Sequence, residues 1–356
     1  MARDLLVPGT GGTKLLLDGE DIGWPGELTI AGWIAKQSRL SVGFKGLGAK
    51  FGAPEDIRRV LSMEYADDAN ALLPTKTTLW PGGTMSPGPE LRPVYNQFDG
   101  FEPFRYDWRQ DIRRSATLLL ERVTGTPGDP WRIVCHSQGG LVVVAAARMF
   151  ADEQGGPNPD RSFSKLVSHV AFLGTPFHGT LMAADALING ESLAAPVAEA
   201  FKKVARTWPA LHQMLPTWLG CVRTPGPGGA EIDQPTNLLQ DEPWAGQQIL
   251  PSMLARAQQT RNDYFRAPMT YLNGVKVRVL QSSAHPTPDH VVMADGGLRI
   301  AGAVPGDTLV PDDVTRRMGG DIQSGLTTSV VRATMVHSTL AIDTTFVSLV
   351  KDFLKQ

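Results

Sequence analysis

The stretch Arg132-Ile133-Val134-Cys135-His136-Ser137-Gln138-Gly139-Gly140-Leu141-Val142-Val143 decides how this chain reads. A short β-branched run ends in a small residue, passes through His-Ser-Gln-Gly-Gly, and continues into an apolar segment of helical length. Strand, sharp turn and helix take this order when a serine must stand at the apex. At such a nucleophile elbow the serine backbone is strained. The residues two before and two after it must be small, because strand and helix nearly touch. Cys135 and Gly139 hold those positions, so strict Gly-x-Ser-x-Gly is not met. Five residues alone fit a glycine-rich turn with an incidental serine equally well. The flanking strand and helix favour a serine placed for chemistry.

Outward from the elbow, strands alternate with helices. Leu5-Leu6-Val7 runs into the glycine loop Pro8-Gly9-Thr10-Gly11-Gly12. Residues 18–100 lack clear periodicity and are rich in Gly, Pro and Trp, as a functional excursion would be. Phe104-Arg105-Tyr106 reads as a strand. Asp111 to Thr124 then sets Ile112, Ala116, Leu119, Leu120 and Val123 on one helical face. Beyond the elbow helix, Val167 to Leu173 is a further strand, and residues 177–268 look mainly helical. Val275 to Leu280 alternates as a strand does, and Thr339 to Leu354 carries a helical apolar stripe. This alternation predicts an α/β fold: one domain over residues 1–356, with a mostly parallel sheet flanked by helices. Within it, 18–100 forms a lid and 177–268 a mainly helical cap inserted between core strands.

Bulk properties narrow the function. Lys and Arg total 34 against 36 Asp and Glu, so there is no electrostatic footprint for nucleic acid or an anionic membrane. The two cysteines, Cys135 and Cys221, allow at most one disulfide and no Cys-rich metal site. No apolar run approaches the roughly 20 residues of a spanning helix, and Leu5-Leu6-Val7 is too short for a signal-peptide core. As the chain stands, the expectation is a cytoplasmic protein, with a mature secreted form as the alternative. No cofactor is expected. His285 and His290 flank Asp289 and imitate a metal site, but without further ligands a polar loop is the stronger reading.

A serine hydroxyl needs a base, an acid to orient that base, and donors for the oxyanion. In the hydrolase order of Ser, acid, then His, the acid falls in a late loop and the histidine just before the last helix. His337 is the only histidine beyond residue 290. Asp307, in Pro305-Gly306-Asp307-Thr308-Leu309-Val310-Pro311, is the favoured acid, with Asp295, Asp312, Asp313 and Asp321 as rivals. The pair Asp312-Asp313 also suits the cap of a helix starting near Val314. The first oxyanion donor is the N–H of Gln138. The second comes from the Pro8–Gly12 loop, whose glycines let backbone approach a substrate. A phosphate cradle is the other reading of that loop, but neither G-x-G-x-x-G nor a Walker lysine is present.

Taken together, Val7–Gly12, Tyr106-Asp107-Trp108-Arg109, His136–Gly140, Leu173–Gly179, Gly306–Pro311 and His337-Ser338-Thr339-Leu340 resemble the lecithin:cholesterol acyltransferase-like lipase family. The blocks follow the family's order across nearly the whole chain. The resemblance implies an α/β hydrolase acting on acyl esters of lipids, often phospholipids. It implies Ser137, Asp307 and His337 as catalytic triad, and Gly11 and Gln138 as oxyanion positions. The chain departs from the family where it reads Gly-Asp-Thr-Leu-Val-Pro instead of Gly-Asp-Gly-Thr-Val-Pro. It also lacks the lid disulfide of secreted eukaryotic members. Hydrolysis, acyl transfer to an alcohol, and ligand binding without catalysis are the functions to separate. Asp107 and Arg109 are expected to form a buried pair bracing the sheet. Trp24, Trp80 and Phe177 are the candidate acyl-contact residues, with ordinary packing as the competing reading. Partners are then an acyl-ester substrate and peripheral contact with a lipid surface.

Overall fold

The computed structural model describes residues 3–17, 20–21, 78–79, 83–90, 92–126, 128–156, 162–190, 197–267, 269–294, 297–312 and 328–356. Trp24 and Trp80, the rival acids Asp295, Asp313 and Asp321, and the helix expected near Val314 lie outside the described residues. A six-stranded sheet forms the centre. Its strands are β1 (Arg3–Val7), β2 (Glu102–Pro103), β3 (Trp131–His136), β4 (Val167–Leu173), β5 (Lys276–Ser282) and β6 (Thr328–Ala333). The spatial order is β6-β5-β4-β3-β1-β2, and every neighbouring pair is parallel. The strand expected at Phe104–Tyr106 is the two-residue β2 just before it, whose pairing with β1 ends where the Phe104 N–H donates to the Leu6 carbonyl (2.8 Å).

Parallel strands need crossovers, and the crossovers cover both faces. Successive side chains along each strand divide between two cores. Leu5, Val7, Ile133, Cys135, Val170, Phe172, Val277 and Val279 pack on the side of α1 (Ile112–Thr124) and α2 (Gln138–Glu153). Leu6, Val134, Ala171, Leu173 and Leu280 face the other way, against Phe346, Val347, Val350, Phe353 and Leu354 of α3 (Thr344–Leu354). Burying each of those α3 side chains stabilises the fold by about 1.5–3 kcal/mol before ordering entropy is counted. The helix starts are set locally. Asp111 caps α1 by accepting from the Arg113 N–H, and Asp343 caps α3 by accepting from the Phe346 N–H.

Three smaller sheets accompany the central one among the described residues, one of them the antiparallel pair His285–Thr287 and Val304–Gly306 that leads into Asp307. The strand Thr13–Leu17, continuing from the glycine loop, pairs with Glu20–Asp21 and Gly83–Glu90, and Thr78–Leu79 joins the far edge. The segment 177–268 carries the helices Leu181–Ile188, Val197–Ala205, Pro209–Gln213 and Pro251–Thr260, but it also contributes strands. Val222–Pro225 and Glu231–Asp233 join His290–Ala294 and Gly297–Ala301 in a four-stranded sheet. The segment expected to be mainly helical thus also carries a short parallel pairing, Val222 and Arg223 with Val291 and Val292.

Candidate active site

The elbow begins where β3 ends. Ser137 has φ 53° and ψ −127°, a left-handed backbone that a residue with a Cβ adopts only when its surroundings force it. Its N–H donates to the Leu173 carbonyl at the end of β4 (2.8 Å), which holds the strained residue to the sheet. A Cβ at Gly139 would lie 2.4 Å from the Val7 carbonyl oxygen and 2.6 Å from that of Pro8, so this position admits only glycine. Cys135, two residues before the serine, is buried with its Sγ 3.3 Å from the Ala171 carbonyl. A thiol is small enough there, and glycine is dispensable on that side.

Gln138 opens α2, so its N–H is among the first four of the helix and has no acceptor within it. Its side chain donates to the Trp108 carbonyl (2.9 Å) and accepts from the Thr10 hydroxyl (2.7 Å). The glycine loop is a tight turn closed by the Gly12 N–H to the Gly9 carbonyl (2.9 Å), with Gly11 at φ 71°. That angle accounts for glycine at 11. The Tyr106–Arg109 block clamps the loop at both ends. Tyr106 Oη donates to the Pro8 carbonyl (2.6 Å), and the Trp108 indole N–H donates to the Thr13 carbonyl (2.9 Å). Arg109 Nε and Nη2 bind Asp107 Oδ1 and Oδ2 at 2.9 and 2.7 Å, the expected buried pair. Burial alone would raise the Asp107 carboxyl; the Arg109 guanidinium more than offsets this and holds it below the usual carboxylate range.

The acid and the histidine meet in one buried junction. His337 Nδ1 lies 2.7 Å from Asp307 Oδ2, and the His337 N–H donates to the Asp307 carbonyl at 2.7 Å. Asp307 Oδ1 accepts from the N–H groups of Leu309 (3.0 Å) and Val310 (2.7 Å). A carboxylate only accepts, so Nδ1 carries the proton and Nε2 is the basic nitrogen. Gly174 leaves room for the pair: a Cβ there would lie 2.9 Å from His337 Nδ1 and 3.0 Å from Asp307 Oδ2. The elbow abuts the junction through His136, whose ring centroid is 5.0 Å from that of His337. Ser137 Oγ makes no hydrogen bond among the described residues; in acyl-transfer sites the serine–histidine bond often tightens only with substrate.

Thr308 carries the cost of the departure from Gly-Asp-Gly. Its φ is 85°, and its N–H donates to Thr287 Oγ1 (2.9 Å). A left-handed β-branched residue costs about 1–2 kcal/mol, and a glycine loses up to about 1 kcal/mol through the unfolded chain. Thr308→Gly is therefore expected to be neutral or to stabilise by up to about 1 kcal/mol, whereas Thr308→Ala gains nothing. Urea midpoints of the three proteins check this, and a clear loss in the glycine variant would contradict the backbone strain.

Of the other candidate residues, Phe177 is buried with its ring 5.2 Å from that of Phe172, and its carbonyl accepts from Arg261 Nη2 (2.7 Å). Trp208 packs against Trp108 and Phe201. His290 sits between Asp289 (2.8 Å) and Glu231 (2.6 Å), and His285 Nε2 faces the Thr334 carbonyl (2.9 Å). Among the described residues, no three His, Cys, Asp or Glu side chains converge as metal ligands, and no helix is long and apolar enough to cross a membrane. Sequence reasoning missed Thr10 and Tyr95. Thr10 stood unmarked inside the quoted loop, and nothing local flags Tyr95.

No family model and no curated protein matches the chain. Solved structures do. A chain of the Tle4-Tli4 complex matches with a TM-score of 0.55 at 12% identity, covering 99% of this chain and 98% of that one. Bacillus licheniformis lipase BlEst2 in mature form matches at 10% identity over 99% and 91% of the two chains, with a TM-score of 0.43. The lin2722 gene product of Listeria innocua matches at 11% identity over 100% and 94%, with a TM-score of 0.37. With its parallel sheet covered on both faces and a strained serine turn at the end of β3, the chain has an α/β-hydrolase fold.

Proposed function

We propose that the chain is a serine ester hydrolase, with Ser137, His337 and Asp307 as triad. The observation that carries the reading is the buried Asp307–His337 bond of 2.7 Å beside a serine at φ 53°. In this scheme Ser137 Oγ attacks the ester carbonyl carbon while His337 Nε2 takes its proton. The carbonyl π electrons pass to oxygen, where the N–H of Gln138 and an N–H of the Gly9–Gly12 turn receive them. By the resemblance that second donor is Gly11. The C–O bond to the alcohol then breaks, and the alcohol leaves with the proton from His337. Water repeats the sequence on the acyl-enzyme and releases the acid. Asp307 stays ionised and holds the imidazole in its Nδ1–H form. Lipid acyl esters are the substrate class that the sequence resemblance favours, and the lid and cap segments would then control their access.

The test is a fluorophosphonate probe followed by an ester panel varying chain length and head group. The expected result is one adduct, on Ser137, and turnover that the adduct blocks. Failure to label Ser137 in the native protein would overturn the reading in favour of a non-catalytic ligand-binding module. Product analysis with added alcohol separates hydrolysis from acyl transfer.

A further inference from the structure

Two buried side chains near the junction have no part in that scheme, and they join its halves. The Gly9 N–H donates to Tyr95 Oη (3.0 Å), Tyr95 Oη contacts His136 Nδ1 (3.0 Å), and His136 Nε2 contacts the His337 carbonyl oxygen (3.1 Å). The chain of bonds begins at a group that only donates and ends at one that only accepts. Its protons are therefore fixed: the tyrosine hydroxyl donates to Nδ1, and Nε2–H donates to the His337 carbonyl. Both middle groups are held in the forms this needs. Burial keeps the Tyr95 hydroxyl protonated well beyond the ordinary tyrosine range, against the opposing Gly9 bond. Burial, followed by the nearby His337, pulls His136 down to about 3, so it is neutral at physiological pH.

The three parts so linked must be in register for acyl transfer: the glycine turn, the elbow and the histidine loop. Gly9 lies against the elbow, since a Cβ there would be 2.7 Å from the Ser137 Cβ. Tyr95 Oη also fills the space a Gly12 Cβ would take, at 2.7 Å. The tyrosine ring is anchored in the α3-side core with Phe98, Leu340 and Phe346, at the end of the helix Arg92–Tyr95 that closes the 18–100 excursion. We propose that Tyr95 and His136 are positioning residues for the acyl-transfer site, a fixed hydrogen-bond relay that sets the glycine turn and the His337 main chain relative to Ser137. The inference rests on the hydrolase reading above.

Tyr95→Phe keeps the ring and removes only the hydroxyl, leaving the Gly9 N–H and His136 Nδ1 without partners. It is expected to lower kcat about 10- to 100-fold, as misplacement near an angstrom does, with KM within about twofold and a shifted acid limb of the kcat/KM pH profile. His136→Leu should lose as much. The double variant should lose no more than the worse single one, because both cut the same chain. His136→Gln, which can accept at Oε1 and donate at Nε2, should recover most of the rate. Imidazole nitrogen NMR of the intact protein should show His136 as neutral Nε2–H between about pH 5 and 8. His136 titrating near its ordinary value, or unchanged kcat and pH profile in Tyr95→Phe and His136→Leu, would overturn the relay. Absence of turnover and Ser137 labelling in the unmodified chain would instead overturn the hydrolase reading, and the relay's positioning role with it.

Discussion

Ser137→Ala is expected to abolish ester turnover, by about 10⁴- to 10⁶-fold in kcat, while melting at nearly the wild-type temperature. The two halves of this result have separate causes. The hydroxyl is the only group in the scheme that forms a bond to the acyl carbon, so nothing replaces it except water bound under the oxyanion donors. The fold loses little, because Ser137 Oγ makes no hydrogen bond among the described residues and alanine keeps the Cβ that β3 and α2 already accommodate. The strain at φ 53° is therefore the same in both proteins. Ser137→Gly sharpens the point: it also relieves the left-handed backbone and should be at least as stable. Side-by-side hydrolysis rates and thermal melts check the prediction. Retained hydrolysis in the alanine variant would place the nucleophile elsewhere.

What the sequence discloses is mostly what is close in sequence. The elbow is legible because a β-branched run, the tight five-residue turn and an apolar helical segment follow one another directly, and the parallel sheet because such runs and helical stripes alternate along the chain. Asp307 and His337 are separated by 30 positions, yet each sits in a loop whose place relative to the last helix can be read, and the structure sets them 2.7 Å apart. Tyr95 has no such signal. Its partners are 86 residues before it and 41 after it, so no local pattern marks it. The pairing of Val222–Pro225 with His290–Ala294 is hidden for the same reason, since a two-residue register between remote segments leaves no periodicity. Thr308 is intermediate. The missing glycine after Asp307 is visible in sequence, but only the backbone shows that the position still has φ 85°.

The orientation of Asp307 predicts the second large loss. Asp307→Asn is nearly isosteric, and its amide has two ways to sit. With the amide oxygen at the Oδ1 position it keeps the N–H bonds from Leu309 and Val310, at 3.0 and 2.7 Å, and turns its NH₂ toward His337 Nδ1. Flipped, it would satisfy His337 but oppose its NH₂ to two backbone N–H groups at once. One conflict costs less than two, so the first arrangement prevails. His337 can relieve that conflict by moving its proton from Nδ1 to Nε2, which puts a hydrogen on the nitrogen that takes the Ser137 proton in the proposed scheme. The expected outcome is a kcat loss of about 10³- to 10⁴-fold with the fold intact, since the loop contacts of residues 309 and 310 survive. Asp307→Ala should lose activity and stability together, because it strips both N–H groups of their acceptor in a fully buried site. Imidazole nitrogen NMR distinguishes the mechanism from simple loss of charge: His337 should be the Nδ1–H form in the wild type and the Nε2–H form in Asp307→Asn. An unchanged tautomer with an unchanged rate would mean that this aspartate does not orient the base.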